Sequence, residues 1–584
     1  MKPQRHEEPQ RTKNTKNLLS VVLPSEDSRT RTTTLFRRLA VTFGTLAAVA
    51  SATMLGSAAS QRFYDDDPIR VEPATQDASA IKAQEVNLFV DLAANIIRGG
   101  KIASPVRARN VNTIDEVPDS SWFTNRGGTR AITATDIAIG PDTSAGPAAG
   151  AWTITSSKSD GVTPGFTVKD ATGERWFLKF DPPGYRGMTT GTEVAVTKLM
   201  WALGYNVPEN HIAHLRREQL VVGAGATFTP VNGTPRPLRI TDVDALLSRA
   251  ERDADGSYRI VASKAVAGKP IGRVRFVGTR PDDPNDVVAH EDRRELRGYG
   301  VFAAWLNHVD AKAINSLDTL VTENGHAYVR HHLMDFGSAL GSGGVGPADY
   351  WAGEEGLVEP GEVARRILGF GFYTPKGRTS SFYEASAVGR LRDDNTDFNP
   401  DLWKPRVPNQ AFLHARRDDQ FWAARKLSAM TTDLLRAAVR TGELGDRDAE
   451  DFLVRALAQR RDAILRAYLT AINPISDPVL DADGTLTLTN VAVEAAVARA
   501  PGGYRASWST YDNTTGTSAF IAETTGTMTA LHAPAGLPAA DGVFIKVALS
   551  AIGGDVSWQA PVNAYFRLRN GSWRWVGFER ISEE

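Results

Sequence analysis

The sequence predicts an α+β chain: a strand-rich stretch from Ala151, a helix-rich stretch from about Glu291, and a small all-β segment from Pro474. Three observations carry this. AWTITSSKS, GFTVKD and RWFLKF are short β-branched or aromatic runs separated by the turn sequences DGVTPG and ATGE, which predicts a three-stranded meander. Apolar residues recur at helical spacing over about 190–203, 291–307, 416–441 and 447–472. Beyond Pro474, Thr-, Gly- and Val-rich runs ending in FIKVALSA, VNAYFRLRN and SWRWVGFER alternate as half-buried antiparallel strands do, which predicts a separate small domain.

A chain of 584 residues is too long for one hydrophobic core. Its patterns divide it into residues 1–60, 61–150, 151–290, 291–473 and 474–584. The balance of 67 Lys+Arg against 68 Asp+Glu leaves no basic excess to bind nucleic acid. The absence of cysteine excludes thiol catalysis, thiolate metal sites and disulfides.

The first part reads as an address. RTRTTTLFRR is basic, LAVTFGTLAAVASATML (39–55) carries no charge, and GSAAS supplies small residues for cleavage near Ala59, the order of a secretory signal. The expected location is exported, periplasmic or extracellular. The alternative is a membrane tether through residues 39–55, which are at the short limit for a span. The polar residues before Arg29 read as a cytoplasmic tail or an over-extended gene start. Arg37-Arg38 fits twin-arginine export, in poor surroundings.

Between the address and the meander, 77–99 has helical apolar spacing, while 117–126 and 140–150 read as loop and linker. After the meander, the helix over about Thr190–Leu203 is closed by Gly204, suited to a left-handed position, and by Pro208. Residues 210–290 alternate strand-like pieces (HIAHLRREQLVV, SYRIVASKAV, GRVRFVG) with a short helix near 242–252. RPDDPND (280–286) reads as a solvated loop. The helix over about 291–307 is charged early and apolar late, so its second half is buried. Residues 338–415 are Gly- and Pro-rich and irregular.

The chemistry concentrates in 308–337, HVDAKAINSLDTLVTENGHAYVRHHLMDFG. It opens with His308-Val309-Asp310. Lys312 stands two residues and Asn315 five residues after that aspartate. TLVT, the turn Glu323-Asn324-Gly325 and HAYVRHHL form a hairpin, for which Asn-Gly is a strong signal. Asp335-Phe336-Gly337 ends the stretch. Taken singly, each feature has a plain explanation. Asp, Lys and Asn cap and turn loops, a histidine beside a buried helix packs in the core, and Asp318 forms a turn. The joint pattern is what carries chemistry.

H-x-D with Asn five beyond the aspartate, a hairpin and D-F-G resembles the catalytic loop of the protein-kinase superfamily. The resemblance spans roughly 151–345 through motifs and continues to 472 by element order. It implies a two-lobed protein-kinase-like domain followed by the all-β segment, with ATP and Mg²⁺ or Mn²⁺ between the lobes. Asp310 would orient the acceptor hydroxyl and take its proton, and Lys312 would neutralise charge on the transferred phosphoryl group. Asn315 and Asp335 would hold the metal, and Gly337 would let the chain turn sharply. Upstream, Lys179 in WFLKF matches the strand lysine that meets the nucleotide phosphates, with Phe177, Leu178 and Phe180 beside it favouring an inward position. Glu193 matches the helix glutamate that holds that lysine. Thr190-Gly191-Thr192-Glu193 is equally a capping box, so a purely structural role for Glu193 stays open.

The phosphate-covering loop departs from the family, because G-x-G-x-x-G is absent. SSKSDGVTPG takes its place, where Ser157, Lys158, Ser159, Gly161 and Gly165 would approach phosphate. That departure resembles the atypical branch, the HipA-like, spore-coat and secretory-pathway kinases, and KSDGVTPGF, FLKFDPPGY, LGYNVPEN and LMDFGSALG are similar to phrases of uncharacterised exported bacterial proteins. No A-P-E follows D-F-G. The expected partners are a nucleotide and an unknown protein or small-molecule acceptor. Rival readings are a catalytically inactive kinase-fold scaffold of the envelope, a nucleotidyltransferase on the same fold, and a tail domain that binds envelope or glycan. Weaker candidates are 280–286 with His290 and Glu291 as a cation or acceptor site, and Trp558, Tyr565, Trp573 and Trp575 as sugar-stacking or core aromatics. His331 and His332 point to opposite faces of a strand and make a poor metal pair.

Overall fold

The computed structural model describes residues 61–99, 105–128, 130–157, 163–230, 234–357, 359–368, 373–374 and 376–580. The expected signal segment 39–55 and its cleavage position lie outside these. Among the described residues no helix is long and apolar enough to cross a membrane.

The architecture is mixed α+β with four sheets. The strands are β1 Trp152–Ser157, β2 Gly165–Lys169, β3 Arg175–Phe180, β4 Asn210–Leu215, β5 Leu220–Phe228, β6 Arg236–Pro237, β7 Tyr258–Lys264, β8 Lys269–Gly272, β9 Ser316–Glu323, β10 His326–Leu333, β11 Ile475–Leu480, β12 Thr485–Asn490, β13 Gly503–Tyr511, β14 Ser518–Gly526, β15 Ala530–His532, β16 Phe544–Ile552, β17 Val562–Arg569 and β18 Ser572–Arg580. The expected meander β1-β2-β3 is the centre of a seven-stranded sheet ordered β4-β7-β3-β2-β1-β5-β6, in which only β1 and β5 run parallel. Period-two alternation puts Trp152, Ile154, Trp176, Leu178 and Phe180 into a core closed by Val243 and Leu247 of the helix Ile240–Leu247. GRVRFVG, expected as a strand, contributes only its first residue, the last of β8.

The second half is built on the buried helix Arg294–Trp305. The expected helix 416–441 is two, Arg417–Ser428 and Thr432–Arg440. Thr431 separates them by accepting the Leu434 N–H as an N-cap, an alternative that a threonine hydroxyl offers the backbone. The helix Arg447–Tyr468 follows as expected. The β9–β10 hairpin turns at Asn324 (φ 52°) and Gly325 (φ 77°), the left-handed pair that Asn-Gly tolerates.

The C-terminal segment forms two sheets, β11-β12-β15 and β14-β13-β16-β17-β18. They do not stand apart: Trp508, Val547, Phe566 and Phe578 belong to the same hydrophobic cluster as Trp305, Trp422 and Leu457 of the helices. Trp558 and Tyr565 are buried core residues, whereas Trp573 and Trp575 are half-buried and pack against the main cluster.

Residues 61–150 strap these parts together. Of 77–99 only Leu88–Ile97 is helical, capped by Asn87. Ala78 and Ile81 instead flank a turn closed by Ile81 N–H on Ala78 C=O and bury against Ile271 and Val329, with Ala78 N–H on Ala327 C=O and Gln84 N–H on Ile271 C=O, so sheet-edge pairing overrides helical spacing. Asp115 joins Asp418 and Asp419 around the wholly buried Arg294 guanidinium. At the far end Phe63 is buried among Tyr511, Phe544, Tyr565 and Val576. Phe63→Ala should cost about 3–5 kcal/mol, read as a lower urea midpoint with new protease cleavage in 61–75. An unchanged midpoint would show that the strap contributes nothing.

Candidate functional site

Strand period decides where Lys179 points. Leu178 and Phe180 face the sheet core, so Lys179 projects from the opposite face together with exposed Phe177. The apolar neighbours therefore do not draw it inward; charge does. Its Nζ lies 2.8 Å from Glu193 Oε2 and 2.8 Å from Asp335 Oδ1, with 14 % of the side chain exposed. Burial opposes the ammonium charge, but the Asp335 and Glu193 carboxylates outweigh it and hold the lysine above its ordinary pKa. On β2, Gly165 is the direct strand partner of Lys179. Ser159 and Gly161 lie outside the described residues.

Glu193 does not cap its helix. The helix Met188–Ala202 begins at Gly187 and carries no side-chain cap at that residue. Asp181, immediately after β3, does the work instead. It accepts the N–H groups of Gly187, Thr189 and Thr190 and the Thr190 hydroxyl. Burial raises the Asp181 pKa despite these bonds. Glu193, two turns into the helix, is free for other partners: besides Lys179 it accepts the backbone N–H of Phe336 (2.9 Å) and of Gly337 (3.0 Å). One buried carboxylate thus holds the strand lysine and the D-F-G backbone together. Asn210 on β4 braces it, donating to Thr197 Oγ1 at 2.8 Å and to Glu193 Oε1 at 3.5 Å.

Asp335 sits at φ 63°, ψ 58°, a left-handed conformation that costs a non-glycine residue on the order of 1–3 kcal/mol. The flanking contacts of Phe336, Gly337 and Lys179 hold it there, with its side chain 39 % exposed. Gly337 is required for close approach rather than for a sharp turn. A Cβ there would meet Thr189 Cγ2 at 3.0 Å and Glu193 Oε2 at 3.1 Å.

The H-x-D end of the motif lies against the same place. The His308 ring is fully buried, 5.4 Å from the Phe336 ring, and both Asp310 and Asp335 act on it electrostatically. Asp310 Oδ1 is 2.7 Å from Lys312 Nζ. Asn315 donates its amide to the Asp310 main-chain oxygen (2.8 Å) and to Asp310 Oδ2 (3.0 Å), which leaves its side-chain oxygen as the available acceptor. Met334 N–H bonds Asn315 C=O, tying the loop to the residue before Asp335. Asp318 is no turn former: it lies within β9 and pairs with His331 at 2.7 Å and with Arg280 at 3.4 Å. Asp335 and the Asn315 oxygen are hard donors of the kind a divalent magnesium or manganese ion takes, and they fit that role.

No family model, curated protein or solved structure matches this chain. The assignment of chemistry therefore rests on these distances.

The loop 280–286 is not solvated. Arg280, Asp283 and Asp286 are buried, Asp286 binds His290 at 2.7 Å, and Trp122 stacks on His331 at 3.4 Å, so the group seals the back of the β9–β10 sheet. His332 Nδ1 lies 3.3 Å from the Leu317 carbonyl. Sequence reasoning missed Asp181, Asn210 and Arg259, whose guanidinium bonds Thr190 Oγ1 and the Gly442 carbonyl. An Asp-Pro just ahead of a helix start was the one readable signal among them.

Burial lowers the pKa of His308 and of His332 to about 4. The unfolded chain titrates these groups near 6.5 and so binds more protons between the two values. The stability they contribute is complete above pH 6.5 and falls as the pH drops toward 4, by about 1.4 kcal/mol per pH unit per histidine. Urea unfolding at pH 7, 5.5 and 4.5 should show this decline, with a shallower slope in His332→Gln; a flat profile would refute it.

Proposed function

We propose that this protein is an ATP- and Mg²⁺-dependent phosphotransferase of the atypical kinase type, acting on a protein or small-molecule acceptor outside the cytoplasm. The observation that carries the proposal is Lys179, bonded at once to Glu193 and to Asp335 across 156 residues of chain. A strand ammonium, a helix carboxylate and a D-F-G aspartate held together in this way support a two-lobed kinase-like reading, with the seven-stranded sheet on one side of the cleft and the helices on the other.

In that reading Lys179 places a fixed positive charge at the nucleotide phosphates, and Glu193 sets its position. Asp335 and Asn315 would hold magnesium, which supplies neutralisation of the phosphate charge. Asp310 orients the acceptor hydroxyl and accepts its proton. Lys312, already beside Asp310, is placed to stabilise negative charge that develops there. Gly165, the register partner of Lys179 on β2, puts no side chain beside the lysine.

Differential scanning fluorimetry and a turnover assay test this on the full chain. Mg²⁺ and ATP together should raise the melting temperature of the wild type, and Asp335→Asn should lose both that shift and turnover. Asp310→Asn should keep the shift and lose turnover by roughly 100- to 10,000-fold. Turnover undiminished in Asp335→Asn would refute the assignment. A shift without turnover in the wild type would favour the inactive scaffold, and the mass added to an acceptor separates phosphoryl from nucleotidyl transfer.

A further inference from the structure

A second group of chemistry-bearing side chains lies away from the Lys179 cleft. Asp142 stands in the 140–150 segment, which the composition marks as linker, and Glu209 and His211 flank Asn210 at the start of β4. Their potential ligand atoms all lie within 4.8 Å of one another. We propose that Asp142, Glu209 and His211 hold a zinc ion, which fastens the N-terminal strap to β4 beside the helix that carries Glu193.

The geometry suits such an ion. His211 Nε2 is 3.5 Å from Glu209 Oε2, long for a hydrogen bond and close to the roughly 3.4 Å between two donors bonded to one zinc at about 2.1 Å in a tetrahedron. Nδ1, the other ring nitrogen, is 3.7 Å from Asp142 Oδ2 and takes no part, because one imidazole gives one ion a single nitrogen. His211 Nε2 and Asp142 Oδ1 are both buried atoms without a hydrogen-bond partner, a costly state for polar atoms unless something charged lies between them. One imidazole and two carboxylates form a donor set for zinc rather than for magnesium, which prefers oxygen ligands and retained water.

The surrounding residues hold the ligands in place. Gly146, at φ +98°, lies against the His211 ring so closely that a Cβ would stand 3.3 Å from Cγ, and Trp176 meets the ring edge-on at 5.8 Å. Ser144 and Lys264 bond Glu209 at 3.0 and 3.3 Å, and the Thr143 hydroxyl donates to it as well. Lys198 is the competing cation. It contacts Asp142 Oδ2 only, is held independently by the Ile139 carbonyl at 2.8 Å, and leaves Oδ1 open.

The consequence reaches the cleft through one residue. Asn210 lies between two of the ligands in sequence, and its side chain bonds Thr197 and Glu193. An ion on Glu209 and His211 fixes the strand that braces Glu193.

The test uses the full chain with any affinity tag removed. After equilibration with zinc and dialysis, elemental analysis should find about one zinc per chain, and zinc without nucleotide should raise the melting temperature where magnesium does not. His211→Ala and Asp142→Asn should weaken zinc binding by more than the roughly 10- to 100-fold that loss of an outer-shell partner costs. Asp142→Asn serves if His211→Ala does not fold, since it keeps the side-chain shape. Asp335→Asn should retain its zinc; loss there would put the ion in the Lys179 cleft and overturn the proposal. Wild-type protein that retains no zinc, or equal retention in the ligand variants, would overturn it too. None of these readouts depends on phosphotransfer.

Discussion

An ammonium with only 14 % of its side chain exposed needs an opposite charge beside it, and Lys179 has two. That requirement organises the centre of the molecule. Glu193 meets it from the helix Met188–Ala202, Asp335 meets it from the end of the β9–β10 hairpin, and the lysine itself comes from the middle of the seven-stranded sheet. Removing either carboxylate would leave the other to balance the charge alone, with several bonds around it undone. Glu193 is the more constrained of the two. Its carboxylate also satisfies the Phe336 and Gly337 N–H groups, which would otherwise be buried donors without partners.

The supports of this triad are themselves polar and buried. Asp181 caps the helix that carries Glu193, and Arg259 joins that cap to the Gly442 carbonyl at the end of the helix Thr432–Arg440. Asn210 holds Glu193 from the other side. Farther out, Arg294 gathers Asp115 from the strap and Asp418 and Asp419 from the helix Arg417–Ser428, so the strap is anchored by charge in the middle and by the Phe63 ring at its end. A buried guanidinium with three carboxylates gives little net stability over an apolar core, but it strongly penalises any arrangement in which one partner is missing. The strap is thus held to a single docking.

Much of the local structure was legible. The meander, the Asn-Gly hairpin and the long helices follow from period and turn chemistry, which act between residues a few positions apart. The reading failed where a longer-range partner won. Residues 77–87 have helical spacing, yet Ala78 and Gln84 bond the β10 and β8 edges, which buries Ala78 and Ile81. Residues 280–286 have a loop composition, yet Asp286 and Arg280 are buried, Asp286 against His290 and Arg280 against Asp318 and main-chain carbonyls. The 140–150 segment reads as linker, yet it delivers Asp142 and Gly146 to His211.

The amino-acid sequence alone determined the order of elements and the offsets of Asp310, Lys312, Asn315 and Asp335 within one stretch, because these depend on neighbours along the chain. Only the tertiary structure decided that Glu193 binds lysine rather than its own helix end, since both roles suit a glutamate that follows Thr190-Gly191-Thr192 near a helix start. It also decided that Lys179 meets Asp335, 156 residues away. Charge pairing between distant segments follows no period. It is set by which faces pack together, and that is a property of the whole fold.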